Sequence, residues 1–231
     1  MTKWMFVSAM TLIWQLACSD IDLTFSNAGQ GDISLRFGSS LEEMLKQWQI
    51  KSLVGKDEYQ FIKKEKGNVL HIFSKNSANI LLKQVEFNPH EYQLIRWHWM
   101  VNKFPEYSSE GATDSIDSID DYAARLCVVF PSWSIWTTKF LVYVWDDRAA
   151  DTDTVKPSSF SKNCKLLVVE NGTKNRGKWV TEERNIIEDY RKVFGSNPPK
   201  KAGAIGIMSD SDDTRTSTDA CYYNIYLKST L

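Results

Sequence analysis

Histidine, cysteine, proline and glycine are all sparse in these 231 residues: 3, 4, 6 and 11 respectively. With three histidines and no Cys-x-x-Cys spacing, the chain lacks the ligand pattern of a cysteine-built zinc site. It also offers few bases that could activate a catalytic thiol. So little glycine and proline excludes collagen-like and low-complexity architectures. Neither sign of charge is in excess: Lys and Arg number 28 against 29 Asp and Glu, a net charge of -1. That removes the basic stripe on which nucleic-acid binding depends. Long apolar runs are missing as well. The N-terminal run Trp4–Leu16 spans 13 residues, short of the ~20 that a membrane-crossing helix requires.

That run does fit the apolar centre of a secretory signal, with Lys3 as its positive start. Two cleavage readings follow. In one, Cys18 is lipidated after Leu16-Ala17, as in a bacterial lipoprotein, although Gln15 stands where an aliphatic residue is usual. In the other, Ala17-Cys18-Ser19 is a small-residue site. The expected organisation is a signal over residues 1–19 and a single β-sandwich domain over 20–231. The chain is thus read as exported, to the periplasm or as an envelope-anchored lipoprotein, touching membrane only through the lipid on Cys18. Beyond Cys18 stand Cys127, Cys164 and Cys221, an odd set. Cys127 reads as a small buried residue, and Cys164 and Cys221 are the two open to pairing.

What is abundant is apolar and aromatic: 42% hydrophobic and 13% aromatic residues, enough for a packed core and too much for disorder. Runs rich in Val, Ile, Tyr, Phe and Trp, bounded by Gly, Asn, Asp and Ser, predict strands at 57–63, 69–74, 79–87, 93–102, 121–131, 137–146, 164–170, 202–209 and 220–228. Helical signals are few. One short helix is predicted from Ser39-Ser40 to about Trp48. A second is predicted over 181–195, capped by Thr181 and closed by Gly195. Polar loops are expected at 105–121 and 146–163. This pattern predicts an all-β chain: a jelly-roll-like antiparallel β-sandwich with one or two short peripheral helices.

Side chains alternate between the two faces of a strand. On this rule Ile95, Trp97, Trp99 and Val101 form a core face, opposite Arg96 and His98. Arg125 is a charge inside an apolar strand. Tyr143 and Trp145 share a face, as do Tyr222 and Asn224. If these strands lie in one sheet, Arg96, His98, Asp121, Arg125, Tyr143 and Trp145 form a ligand-binding surface. Rings stack on sugars, and arginine forks hold carboxylates or hydroxyls. The plainer reading pairs Arg125 with a carboxylate such as Asp121 and leaves it structural. Acidic clusters are the other feature: Asp114, Asp117, Asp120 and Asp121; Asp146, Asp147, Asp151 and Asp153; and Asp210, Asp212 and Asp213. Oxygen-rich loops of this kind can hold calcium, and Asp210, Asp212 and Asp213 are the candidate ligands. Solvated turns are the plain alternative.

Asp120-Asp121-Tyr122-Ala123-Ala124-Arg125 with Val128-Val129-Phe130, then Tyr143-Val144-Trp145, Trp179 to Arg184-Asn185, Glu188-Asp189-Tyr190, Phe194-Gly195 and Ile205-Gly206-Ile207-Met208-Ser209-Asp210-Ser211-Asp212 form an ordered set. Together with Arg96-Trp97-His98-Trp99, the set resembles the bacterial domain-of-unknown-function family 3047 over roughly residues 40–228. Two positions depart from that pattern, His98 and Asp213. The resemblance implies an exported protein with a jelly-roll sandwich and no established activity. Three functions follow for testing. The first is a non-catalytic module that binds a glycan or another envelope component. The second is a polysaccharide lyase or hydrolase in which Arg125 or Arg96 neutralises a uronate while Tyr143 or His98 moves a proton. The third is a purely structural envelope domain.

Overall fold

Alternating side chains are packed here between two sheets, so each central strand sends one row inward and the other row to an outer face. The computed structural model describes residues 31–65, 67–107, 119–134 and 137–229. Among the described residues thirteen strands run in chain order. They are β1 (Ile33–Leu35), β2 (Gln49–Val54), β3 (Glu58–Lys64), β4 (Gly67–Lys75), β5 (Ala78–Phe87), β6 (Leu94–Lys103) and β7 (Ala124–Phe130), then β8 (Lys139–Asp146), β9 (Val155–Pro157), β10 (Cys164–Asn171), β11 (Val180–Asn185), β12 (Ala202–Asp210) and β13 (Ser217–Lys228). The first sheet has the order β11-β6-β13-β4-β3, with β1 beside β13. The second has the order β2-β5-β12-β7-β8-β10-β9. All pairs are antiparallel except β8 with β10. The jelly-roll-like sandwich expected from the sequence is therefore the fold.

The core lies between the sheets and is aromatic. Trp97 and Trp99 of β6 face Tyr143 and Trp145 of β8, with ring centroids 5.1 Å apart for Trp97–Tyr143 and 6.0 Å for Trp99–Trp145. All four are fully buried, as is Tyr222 of β13. Burying rings of this size contributes strongly to folding. The Tyr222 hydroxyl crosses to the second sheet. It accepts the Arg125 N–H at 2.9 Å and donates to the Met208 carbonyl at 2.7 Å.

All nine predicted strands are present. Four others escaped prediction: β1, β2, β9 and β11. The last, Val180-Thr181-Glu182-Glu183-Arg184-Asn185, carries helix-favouring charges but pairs along β6 at the sheet edge. The helix predicted from Thr181 therefore starts later. Helix α2 (Ile186–Phe194) follows α1 (Leu41–Leu45) in the chain and is capped by the Asn185 side chain, which accepts the N–H groups of Ile187 and Glu188. Gly195 ends it at φ 68°, in the left-handed region that glycine adopts without strain. Residues 1–30, with Cys18, lie outside the described residues, as do Asp114 and Asp117.

Candidate functional site

The expected surface does not form, because its members point in three directions. Tyr143, Trp145 and Tyr222 face the inter-sheet core. Arg96 and His98 alternate with Trp97 and Trp99 and so occupy the outer face of the first sheet. There His98 Nδ1 lies 2.8 Å from Thr181 Oγ1, and an Arg96 nitrogen lies 4.0 Å from Glu183. Burial, reinforced by the Arg96 charge, pulls the His98 imidazole down to about 4. Burial pushes the Tyr143 hydroxyl well up, and Asp189 adds to that. Arg125 is on the outer face of the second sheet. The lyase arrangement of Arg125 or Arg96 with Tyr143 or His98 is therefore not assembled. Periodicity told which residues share one strand's face, but not which sheet each strand joins.

Arg125 instead lies at one end of a groove on that outer face. Strand register lays out the floor in rows. Leu82 is opposite Gly206, Gly206 opposite Cys127, and Cys127 opposite Val142. In the next row Ala204, Val129 and Phe140 are neighbours. On the other side come Ile80, Met208 and Arg125, and then Ala78 with Asp210. β2 supplies one wall through Lys51 and Leu53. The segment between β9 and β10 supplies the other through Ser158, Ser159 and Phe160, enclosing about 460 Å³. That is within the range of small-molecule sites. Leu53 and Phe160 stay 58% and 62% exposed on the two rims. Gly206 keeps the floor low, since a Cβ there would come within 2.9 Å of Ile80 Cδ1 and 3.1 Å of Leu82 Cδ2.

The Arg125 end is a network of carboxylates. Asp210 accepts from Arg125 Nε at 3.2 Å and from Nη2, and the Tyr122 N–H donates to it at 2.9 Å. Asp120 takes Arg125 Nη1 at 3.3 Å. Its second oxygen accepts the Ser158 hydroxyl at 2.8 Å and the Ser159 N–H and hydroxyl at 3.0 and 2.9 Å. Asp120 thus fastens the Ser158–Phe160 wall to the floor. Arg125 is only 8% exposed, and its guanidinium lies 4.8 Å from the centre of the Tyr122 ring. Burial alone would lower its pKa, but Asp210 and Asp120 more than reverse that. Burial pushes the Asp210 carboxyl up while Arg125 pulls it back. Asp212 is also pushed up, by burial first and then by Asp121 and Asp213.

Carboxylate oxygens of Asp121, Asp210 and Asp212 lie within 4.8 Å of one another, but these residues do not fit calcium. Both Asp210 oxygens are bonded to Arg125. Both Asp121 oxygens accept from the Asp213–Thr214 turn, at 2.6 to 3.2 Å. Asp213, one of the three expected ligands, turns its carboxylate to the Asp120 N–H at 3.0 Å. A guanidinium already supplies the positive charge, and too few oxygens remain for a six- to eight-coordinate ion. Asp121 stabilises this turn and does not line the groove. Cys127 and Cys164 are free, and burial raises both thiols. Cys164 is therefore not paired with Cys221.

The groove residues that sequence reasoning passed over are Phe140, Val142, Gly206, Met208 and Phe160. One signal was available. β7 and β8 are apolar on both faces, which marks a strand whose outer side is covered or serves as a floor.

The model of the family described as "Protein of unknown function (DUF3047)" matches residues 46–226. Nothing among curated proteins matches the chain. Among solved structures, the chain is similar to the family 11 carbohydrate-binding module of cellulase Lic26A-Cel5E from Clostridium thermocellum, with 12% identity and TM-score 0.47, over 89% of this chain and 98% of that one. It is also similar to the xyloglucanase domain of NopAA from Sinorhizobium fredii, with 9% identity and TM-score 0.41, over 87% of this chain and 98% of that one.

Proposed function

We propose that this chain, which belongs to the DUF3047 family, is a non-catalytic binding module that holds a sugar-bearing molecule of the cell envelope in the groove of its second sheet. The observation that carries the reading is the groove itself: a low apolar floor between two walls, ending in carboxylates and serine hydroxyls. Sugar hydroxyls donate to Asp212 and Asp213, and the C–H face of the ring rests on Phe160 of the wall beside them. Support for binding over catalysis comes from the locked state of the charged groups. Arg125, Asp120 and Asp210 spend their hydrogen bonds on one another and on the wall. Export, by the Lys3 and Trp4–Leu16 signal and with Cys18 as the lipid-bearing residue in one version, belongs to the same proposal.

Calorimetric titration of the folded chain with neutral, amino and uronate sugars tests it. Binding to at least one class is expected, weakened at least 10-fold by Asp212→Asn and by Phe160→Ala. No heat with any of the three classes, from a sample with a dispersed amide spectrum, would overturn it.

A further inference from the structure

We infer that the groove's ligand carries an acyl or alkyl chain and that its sugar head bears a free amino group; this rests on the sugar-binding reading above. The floor decides the chain. Across its middle rows stand Leu82, Cys127, Val142, Ala204, Val129 and Phe140 around the bare backbone of Gly206. Apart from the Cys127 thiol, none of these side chains can accept or donate a hydrogen bond. A sugar ring laid over them would turn hydroxyls onto carbon. Each hydroxyl left without a partner weakens binding by roughly 10-fold. A methylene has no such cost, and each one buried strengthens binding by roughly 4-fold. Leu53 and Phe160, exposed on the rims, extend the apolar surface up both walls. The polar head must then lie where the polar groups are.

Charge decides the head. Four carboxylates, those of Asp120, Asp210, Asp212 and Asp213, line the trough against two cations, Arg125 and the Lys51 of the β2 wall. Among the described residues Arg125 is the one cation ion-paired with them. Asp120 and Asp210 share that cation. Asp212 and Asp213 are left with no ion-pair partner among the described residues, and burial first, then crowding by Asp121 and Asp213, pushes the Asp212 carboxyl up. An ammonium group relieves that crowding, while the carboxylate of a free fatty acid would add to it. Charge complementarity thus selects an amino-sugar head over an anionic one. A chainless polysaccharide would leave the floor against water.

The test uses the full chain and four probes: octyl glucosaminide, octyl glucoside, glucosamine and octanoate, each below its micelle-forming concentration. Affinity is read by calorimetry and position by methyl NMR of Ile80, Leu82, Val129, Val142 and Met208. Octyl glucosaminide is expected to bind at least 100-fold more tightly than glucosamine and about 10-fold more tightly than octyl glucoside, with shifts at all five residues. Octanoate is expected to leave them unmoved. Ala204→Leu, which adds carbons at a residue lining the trough, should erase the chain's advantage. Leu53→Ser, on the exposed rim where the fold does not depend on it, should weaken that advantage and serves as a second variant should the first misfold. Asp212→Asn should erase the amine preference and keep the chain's advantage. Equal affinity for octyl glucosaminide and glucosamine would overturn the inference and leave the sugar-binding reading standing. Octanoate binding as tightly as octyl glucosaminide would overturn both.

Discussion

Replacing Arg125 with methionine removes the cation that pairs with both Asp120 and Asp210. Asp210, only 3% exposed, would keep a single N–H donor, from Tyr122 at 2.9 Å. Leaving a buried charge without its partner costs about 3–5 kcal/mol. Asp120 would keep its three contacts from Ser158 and Ser159 and should contribute little of that loss. The cost must depend on pH. In the variant, the Tyr122 N–H is the main contact still opposing burial of the Asp210 carboxyl, so its folded pKa rises further above the unfolded value near 3.9. For an acid with a raised folded pKa, the penalty is absent below the unfolded pKa and grows as pH rises through the range between the two, by about 1.4 kcal/mol per unit. Urea unfolding at pH 4.5 and pH 7.5 reads this directly. Arg125→Met should cost several kcal/mol at pH 7.5 and much less at pH 4.5. Arg125→Met combined with Asp210→Asn should recover most of the loss at the higher pH. A loss below about 1 kcal/mol at pH 7.5, or one independent of pH, would refute the buried-clamp argument.

Other groups give predictions of either sign. Burial and the neighbouring Glu170 push Glu182 up to about 8, so the fold loses stability as pH rises from the ordinary glutamate range toward 8. Glu182→Gln should therefore stabilise the protein at pH 8, by about 2 kcal/mol once residual solvent contact is allowed for, and be neutral near pH 4.5; thermal melts at both pH values check this. His98 stays neutral down to about 4 while the unfolded chain protonates near 6.5. It should thus account for up to about 3 kcal/mol of stability lost between pH 6.5 and pH 4, and urea titrations of His98→Gln should show a shallower acid slope. Tyr222→Phe leaves the Arg125 N–H and the Met208 carbonyl without the hydroxyl that serves both. It should cost about 1–3 kcal/mol and speed hydrogen exchange at the Arg125 amide.

Much of the sandwich was legible because it depends on local pattern. Trp97 and Trp99 alternate with Arg96 and His98, and a strand can bury only one of those rows. Leu126, Val128 and Phe130 point inward for the same reason, with Arg125, Cys127 and Val129 on the opposite side. The misreadings occurred where pairing overrode local preference. Thr181–Asn185 joined β6 as an edge strand although its charges favour helix, and β2 formed because β5 had a free edge beside it.

Sequence alone determined that this chain would build a β-sandwich around tryptophan and tyrosine, since period-two alternation is a property of consecutive residues. Tertiary structure alone decided that Arg96 and His98 stand behind the first sheet, that Arg125 stands behind the second, and that Tyr143 and Trp145 lie between them. A strand's two faces are written in its own residues, but the sheet it enters depends on partners tens of residues away. So the groove, assembled from β2, β5, β12, β7, β8 and the Ser158–Phe160 wall, exists only once those pairings are made.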